Sequence, residues 1–442
     1  MNFGTQNKLH TYAVREEETT VNIHVVQTGD TLWTISQQYG VSYQSIVGVN
    51  QLPSSSIVPG QTLLIPVMTR SYVVMPGDSL YLIANRYGLS ISELLAWNPQ
   101  IQESNIFIGD IIRLPVVARP SKTALGFLEL IGPQIDQANV TTNAPYYSYL
   151  ALFTYGMTAS GAITPAQDES ALQSVKQTRA IPTATFANWT QNQFSRNAVH
   201  VMLSTASLRQ QYISEVIRIV HEKGYKAVAI DFESLLSEDR ETFVEFLREL
   251  SAQLQPLGIP SIVCAMPITG HLPYESPIVE AYDYASIAQN ATFIMLMSYN
   301  WSWPGGPPGP VASLPLVEDN INYALQRMSR RQILLGLIRY GYDWALPYQP
   351  GEATGTWNVQ AVVEMAMQNQ IPIQFDAQSL TPWLRYWNRQ GRQHIIWFED
   401  ARSLQLKLQL VRKHQLAGMA AWELSERFPQ FTQLVLDSFR IQ

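Results

Sequence analysis

The sequence predicts an α/β protein, a (β/α)8 TIM barrel with a small α+β insertion, preceded by two small βααβ modules. Three observations predict it. The apolar run Ala227-Val228-Ala229-Ile230 reads as a buried parallel strand that ends in two carboxylates, Asp231 and Glu233, and an amphipathic run from Arg240 to Leu247 follows. Acids at the C-terminal end of a strand in such a strand, loop, helix unit are placed as in a barrel active site. Apolar segments of strand length recur downstream of residue 121, and the chain ahead of it contains an internal repeat. At 442 residues, 46% of them hydrophobic, the chain has room for at least two folding units and a sizeable core.

Taken in order, residues 1–22 form a polar tail containing Arg15-Glu16-Glu17-Glu18, with no apolar stretch for a signal-peptide core or a membrane span. Classical export is therefore not expected. Thr28-Gly29-Asp30-Thr31-Leu32 then recurs as Pro76-Gly77-Asp78-Ser79-Leu80, and the repeat continues in register. Tyr39-Gly40 matches Tyr87-Gly88, Asn50 matches Asn98, and each copy closes on an apolar segment ending at Pro66 or Pro115. These modules span 23–67 and 71–116, each reading strand, helix, helix, strand. The glycine-aspartate pair reads as a turn into a helix, with Asp30 or Asp78 capping its first N–H groups. The copies resemble LysM modules, which bind glycans containing N-acetylglucosamine. That resemblance implies a shallow groove at Gly29, Asp30, Thr31 and Ile57 in the first copy and at Gly77, Asp78, Ser79 and Ile106 in the second. Two weak sites on one chain would raise effective affinity for a polymer. The alternative is a pair of structural domains that no longer bind.

Val116 to Lys122 is short and polar, contains Pro120, and reads as an extended linker. The barrel, 121–442, starts with a strand at Ala124–Leu130. It continues with Tyr149–Tyr155, Thr183–Asn188, Ala227–Glu233, Ser261–Met266, Phe293–Tyr299, Ile333–Ile338 and Gly418–Trp422. The interval from Asp343 to about Phe398 exceeds a normal barrel loop and contains a helical stretch from Ala361 to Met367, so a small α+β insertion is expected to wall one side of the cleft. Cys264, the single cysteine, sits in an apolar run and reads as a buried small hydrophobe.

In a strand, residues i and i+2 share a side, so Asp231 and Glu233 face one site while Phe232 points away. Repulsion between them raises the proton affinity of one, leaving an acid able to protonate a leaving group near neutral pH. Read alone, the pair fits a helix N-terminus equally well. The surroundings tip the balance, since Gly224-Tyr225 precedes the strand and the amphipathic run follows it, and further segments make the reading specific. Asp231-Phe232-Glu233 resembles the second half of the Asp-x-x-Asp-x-Asp-x-Glu signature of glycoside hydrolase family 18. Lys226 and Ala229 stand at its two earlier acidic positions. Met297-Ser298-Tyr299-Asn300 is similar to the family's Met-x-Tyr-Asp strand, and Gly336 to Trp344 to its Gly-Ile-Pro-x-Tyr-Gly-Tyr-Asp-Trp segment, with Ile338 replacing the proline. His394–Asp400 and Gly418–Trp422 look like the closing strands. Gly305 to Ala312 is similar to the branch found in spore cortex-lytic and spore-coat proteins of endospore-forming bacteria.

The resemblance implies substrate-assisted, retaining hydrolysis. Glu233 would be the general acid and base, Asp231 would orient the substrate's acetamido group, and Tyr299 would hold its carbonyl. Trp422 would floor the cleaved-sugar subsite, with Asn300, Trp301, Met297, Tyr340, Tyr342, Asp343 and Asn188 as further substrate-binding residues. Loss of the acid at position 229 is expected to alter the proton sharing with Asp231.

No metal-ligand spacing, phosphate-binding glycine loop or serine-hydrolase elbow is present, so no metal and no cofactor are expected. A net charge of −6 without a basic run gives no reason to expect nucleic acid. The expected partner is peptidoglycan or another N-acetylglucosamine-containing glycan, with no membrane, for a monomer located in the spore, at the coat or the cortex-coat boundary. The leading expectation is a spore cortex N-acetylglucosaminidase. The rivals are a catalytically silent coat protein that binds glycan and a chitinase on chito-oligosaccharides.

Overall fold

In the computed structural model the described residues are 22–66, 70–74, 77–86, 91–96, 98, 101, 105–114, 119–271, 279–352 and 354–442. The expected tail up to Val21, Pro76, the Tyr87-Gly88 pair, Pro115 and the linker up to Ala118 lie outside them, and Asn22 belongs to the first strand.

Each module is a two-stranded antiparallel sheet covered by two helices. In the first, Asn22–Val25 pairs with Thr62–Ile65 around helices Leu32–Tyr39 and Tyr43–Asn50. In the second, Arg70–Val73 pairs with Ile111–Leu114 around Leu80–Arg86 and Ile91–Ala96. Their separate small cores centre on Leu32, Ile35, Ile46 and Leu63, and on Leu80, Ile83, Leu94 and Ile112. The repeated asparagine has a physical reason. The Asn50 amide donates to the Ile46 and Leu64 carbonyls and accepts from the Leu64 N–H, and Asn98 does the same with Leu94 and Arg113. Each ties the end of the second helix to the last strand, satisfying backbone groups that have no other pairing edge.

Helix capping differs from the expectation. Thr31, not Asp30, is the N-cap of Leu32–Tyr39, accepting from the Thr34 N–H in a reciprocal capping box. Ser79 likewise accepts from the Leu82 N–H. The aspartates close the preceding turn instead. Asp30 accepts from the Gln27 N–H at 2.7 Å and pairs with His24 at 2.9 Å, while Asp78 accepts from the Tyr72 hydroxyl. A hydroxyl one residue later lies closer to the free N–H groups of the first turn.

The barrel closes with eight parallel strands: Ser121–Glu129, Tyr149–Met157, Ile181–Ala187, Ala227–Asp231, Ser261–Ala265, Phe293–Leu296, Ile333–Ile338 and Gly418–Trp422. Closure is explicit, because the first strand pairs with both the second and the eighth. Helices such as Ala206–Lys223, Arg240–Leu254 and Ala401–Lys413 form the outer ring. Phe232 shows how strand and ring interlock. It turns outward, fully buried, against Tyr212 of one helix and Phe243 and Phe246 of the next.

His394–Asp400, expected among the closing strands, does not enter the barrel. Gln393–Trp397 is a strand of a separate antiparallel sheet, in the order 355–358, 340–345, 393–397, 381–387, 374–376. With helix Val359–Asn369 this sheet is the insertion, which begins at Tyr340, slightly earlier than expected. A single apolar run carries no sign of whether its neighbours are parallel or antiparallel, so the sequence cannot assign the sheet.

The first module is docked on the barrel. Gln430 in the C-terminal helix Pro429–Ser438 donates to Asn50 and to the Thr62 carbonyl, both at 2.8 Å, and the Ile373 N–H donates to the Pro59 carbonyl. Val58 and Leu64 join the barrel core while Met367 joins the module core. Gly60 has a left-handed φ of +81°, and a Cβ there would lie 1.8 Å from the Ile373 carbonyl oxygen, so glycine is required by the closeness of the two surfaces.

Candidate active site

At the C-terminal mouth of the barrel lies an open cavity of about 440 Å3. Asp231 ends the fourth strand, and Glu233 lies two residues on, in the loop that Ser234 turns through a left-handed φ of 57°. Both line the cavity, as the i, i+2 geometry requires. Asp231 is 3% exposed and its Oδ1 has no protein partner. Burial pushes the Asp231 carboxyl up to about 7. Burial, and then the charge of Asp231, raise Glu233 well above the carboxylate range. The pair thus retains a proton at neutral pH that a solvated pair would lose.

Asn188 stands behind Glu233 rather than in the cavity. Its Oδ1 accepts from the Glu233 N–H and its Nδ2 donates to the Glu233 carbonyl, each at 2.8 Å, so the third strand fixes the backbone that carries the acid. Tyr282 adds a second restraint by donating to the Phe232 carbonyl.

Met297, Tyr299 and Asn300 also line the cavity, beyond the end of the sixth strand at Leu296. Asn300 has a left-handed φ of 62°, which an Asn tolerates, and its Oδ1 accepts from the hydroxyls of Tyr340 and Tyr342 at 2.9 and 3.1 Å. All three rings line the cavity with Trp422, which is wedged edge-on against Phe153 and Phe127.

The structure does not bring three of the expected substrate residues to this cavity. Asn188 positions Glu233, as described. Asp343 accepts from the Tyr386 hydroxyl at 2.6 Å and pairs with His394 at 2.9 Å inside the insertion sheet, because strand alternation puts it on the face opposite Tyr340 and Tyr342. Trp301 is packed against the core, outside the lining. Trp344 is likewise structural, 2% exposed, its indole N–H donating to the Gly306 carbonyl.

Sequence reasoning missed other lining residues. Phe127, Trp189 and Phe194 add an aromatic wall, and Glu129, Glu423 and Glu426 make one end acidic. Burial, then Glu423 and Glu129, push Glu426 up to about 7. Cys264, expected as a core hydrophobe only, is buried but reaches the cavity floor. Register between the fourth and fifth strands places it beside Asp231, where its thiol donates to the Met295 Sδ at 3.9 Å and tempers the upward push of burial on the Asp231 carboxyl. Ala229, fully buried one turn of pleat below Asp231, offers no such group. The missed signal was register, since strand neighbours are not contiguous in sequence.

In the modules, Gly29 and Thr31 are exposed, Asp30 and Ile57 half-buried, Gly77 and Ser79 exposed, Asp78 and Ile106 half-buried. Among the described residues, no cluster of three or more His, Cys, Asp or Glu could hold a metal, and no helix is long and apolar enough to cross a membrane.

Residues 135–426 match the family Glycosyl hydrolases family 18, and 24–66 and 72–115 each match the LysM domain. The chain is 35% identical over 421 residues to a putative sporulation-specific glycosylase, YdhD, of Bacillus subtilis, covering 95% of this chain and 99% of that one. It is 33% identical over 428 residues to the cortical fragment-lytic enzyme of the same organism, with the same coverages. Its fold matches the crystal structure of the Bacillus megaterium spore cortex-lytic enzyme SleL with a TM-score of 0.86 at 28% identity, covering 96% of this chain and 99% of that one. An acid pair at the end of a barrel strand, an aromatic cavity and two N-terminal modules therefore come together in a chain that belongs to glycoside hydrolase family 18 and carries two LysM domains.

Proposed function

We propose that this chain is a spore cortex peptidoglycan hydrolase, an N-acetylglucosaminidase that acts in cortex degradation during germination, with its LysM modules holding it to the glycan. The observation that carries the reading is the Asp231–Glu233 pair, with Asp231 buried, lining one cavity together with Tyr299 and Trp422. Its support as to substrate is the similarity, over 95% of the chain, to a cortical fragment-lytic enzyme.

The geometry suits substrate-assisted retaining hydrolysis. The sugar to be cleaved stacks on Trp422 with its 2-acetamido group over the cavity floor. Protonated Glu233 gives its proton to the glycosidic oxygen as the C1–O bond breaks and its electron pair leaves with that oxygen. The acetamido oxygen attacks C1 from the opposite face, forming an oxazolinium ion. Asp231 accepts from the acetamido N–H through its unpartnered Oδ1 and stabilises the positive charge. The Tyr299 hydroxyl holds the acetamido oxygen in line. Water then adds to C1 as the ring C1–O bond of the oxazolinium ion breaks and its electron pair returns to the acetamido oxygen, and the proton of the water passes to the Glu233 carboxylate, which restores the enzyme.

The place of action we infer is the spore, at the coat or cortex-coat boundary. The test is incubation of the protein and its Glu233→Gln variant with fragmented cortex, reading new reducing ends by borohydride labelling and mass spectrometry. N-acetylglucosamine ends from the parent alone are expected. Release of no product from cortex or chito-oligosaccharides, with glycan still pulled down, would make the chain a glycan-binding coat component. Products from chito-oligosaccharides alone would make it a chitinase.

A further inference from the structure

A second polar hollow, of about 500 Å3, lies between the first LysM module and the barrel. One wall is the end of helix Tyr43–Asn50, with Gly48, and Gln51 just beyond it. The other is built by Asn139 on helix Pro133–Asn143, by Arg339 after the seventh strand, and by the loop after the eighth. Three features set it apart from an ordinary domain seam. Arg339 is 6% exposed, yet its Nε has no partner, and the buried Nδ2 of Asn139 has none either. Gly48 has nothing within 4 Å of where a Cβ would stand, so the module turns its open helix position toward free space. Glu426 lines both this hollow and the catalytic cavity, so the two lie next to each other with that residue between them.

We propose that this crevice is an accessory subsite for the glycan strand, in which an uncharged acetamido sugar binds beyond the catalytic cavity. The proposal rests on the reading that the cavity takes a glycan. A hollow lined by Asn139, Arg339, Gln51 and Ser425 offers polar donors to an acceptor-rich ligand, and sugar hydroxyls and an acetamido carbonyl are acceptors of that kind. An anion fits less well. Glu423 and Glu426 lie near enough to Arg339 to offset its charge, and Arg427 faces Glu364. The first LysM module then has a second role, as one wall of the substrate path. Its docking through Gln430, Gly60 and Ile373 gives that wall a fixed position. The residues implied for its own LysM groove, Gly29, Asp30, Thr31 and Ile57, are not among those lining the crevice.

The test uses two full-length variants outside the catalytic machinery, Gly48→Trp, which fills the crevice, and Asn139→Leu, which removes a donor. The substrates are soluble cortex glycan strands and a nitrophenyl glycoside of an N-acetylglucosamine disaccharide, which is too short to leave the cavity. Both variants should cleave the short glycoside as the parent does. On strands, kcat/KM should fall about tenfold, carried by KM, the change expected from losing a good hydrogen-bonded contact. Unchanged kinetics on strands for two variants with parental melting temperatures would overturn the proposal. Should the parent cleave neither substrate, the catalytic reading fails by itself, and calorimetric binding of strands to Glu233→Gln decides about the crevice. Both LysM grooves remain in that protein, so weaker binding with Gly48→Trp added supports the subsite, and equal binding sinks it.

Discussion

Glu233 owes its position to Asn188, whose amide brackets the Glu233 peptide from the neighbouring strand. Asn188→Ala is expected to lower kcat on cortex fragments by about tenfold to a hundredfold with little change in KM, since a misplaced acid costs the transition state more than binding. Cys264 gives a finer test. Its polar thiol beside Asp231 favours the ionised carboxylate and so holds that carboxyl below where burial alone would put it. Cys264→Ala should therefore move the acidic limb of the kcat/KM profile toward higher pH, and an unmoved limb would show that the thiol only fills space. The identity of Asp231 and Glu233 was legible because two acids ending an apolar strand are costly without a function. Cys264 was not, because its relation to Asp231 arises from pairing between strands.

At the scale of elements, helix Ala401–Lys413 is fastened where the insertion returns to the barrel. Lys407 and Glu399 form an ion pair with both side chains 2% exposed, at 2.8 Å, and Ser403 also donates to Glu399. Lys407→Met leaves a buried carboxylate without its cation and should cost about 3 kcal/mol by urea unfolding at pH 7, whereas adding Glu399→Gln should return part of that. The eight barrel strands were legible as apolar runs, though the fourth and sixth end before Glu233 and Tyr299. Loops carry both side chains, and the left-handed turns at Ser234 and Asn300 aim the chain there. The fate of Gln393–Trp397 was not legible, because hydrophobicity reports burial and not the partner strand.

Across the whole molecule, the cleft gathers carboxyls at a cost in stability. Glu426 is raised to about 7 in the fold, so its folded form prefers the proton. The stability this contributes is complete below the unfolded value of 4.5 and disappears as pH rises through about 7. Glu426→Gln, which cannot ionise, is thus expected to raise the melting temperature at pH 8 and leave it nearly unchanged at pH 4, and equal effects at both would contradict the burial of that carboxyl.

The sequence by itself determined the modules, the barrel, the acid pair and the aromatic mouth, because each is written in a local period, a repeat at fixed offset or a run of residues that physics allows few other uses. Tertiary structure alone decided that Asn188 and Asp343 stand outside the cavity, that Cys264 stands under Asp231, and that the first module is seated against the barrel beside the cleft. These depend on which distant segments become neighbours, and closure of the barrel and matching of two surfaces settle that only when the whole chain is in place.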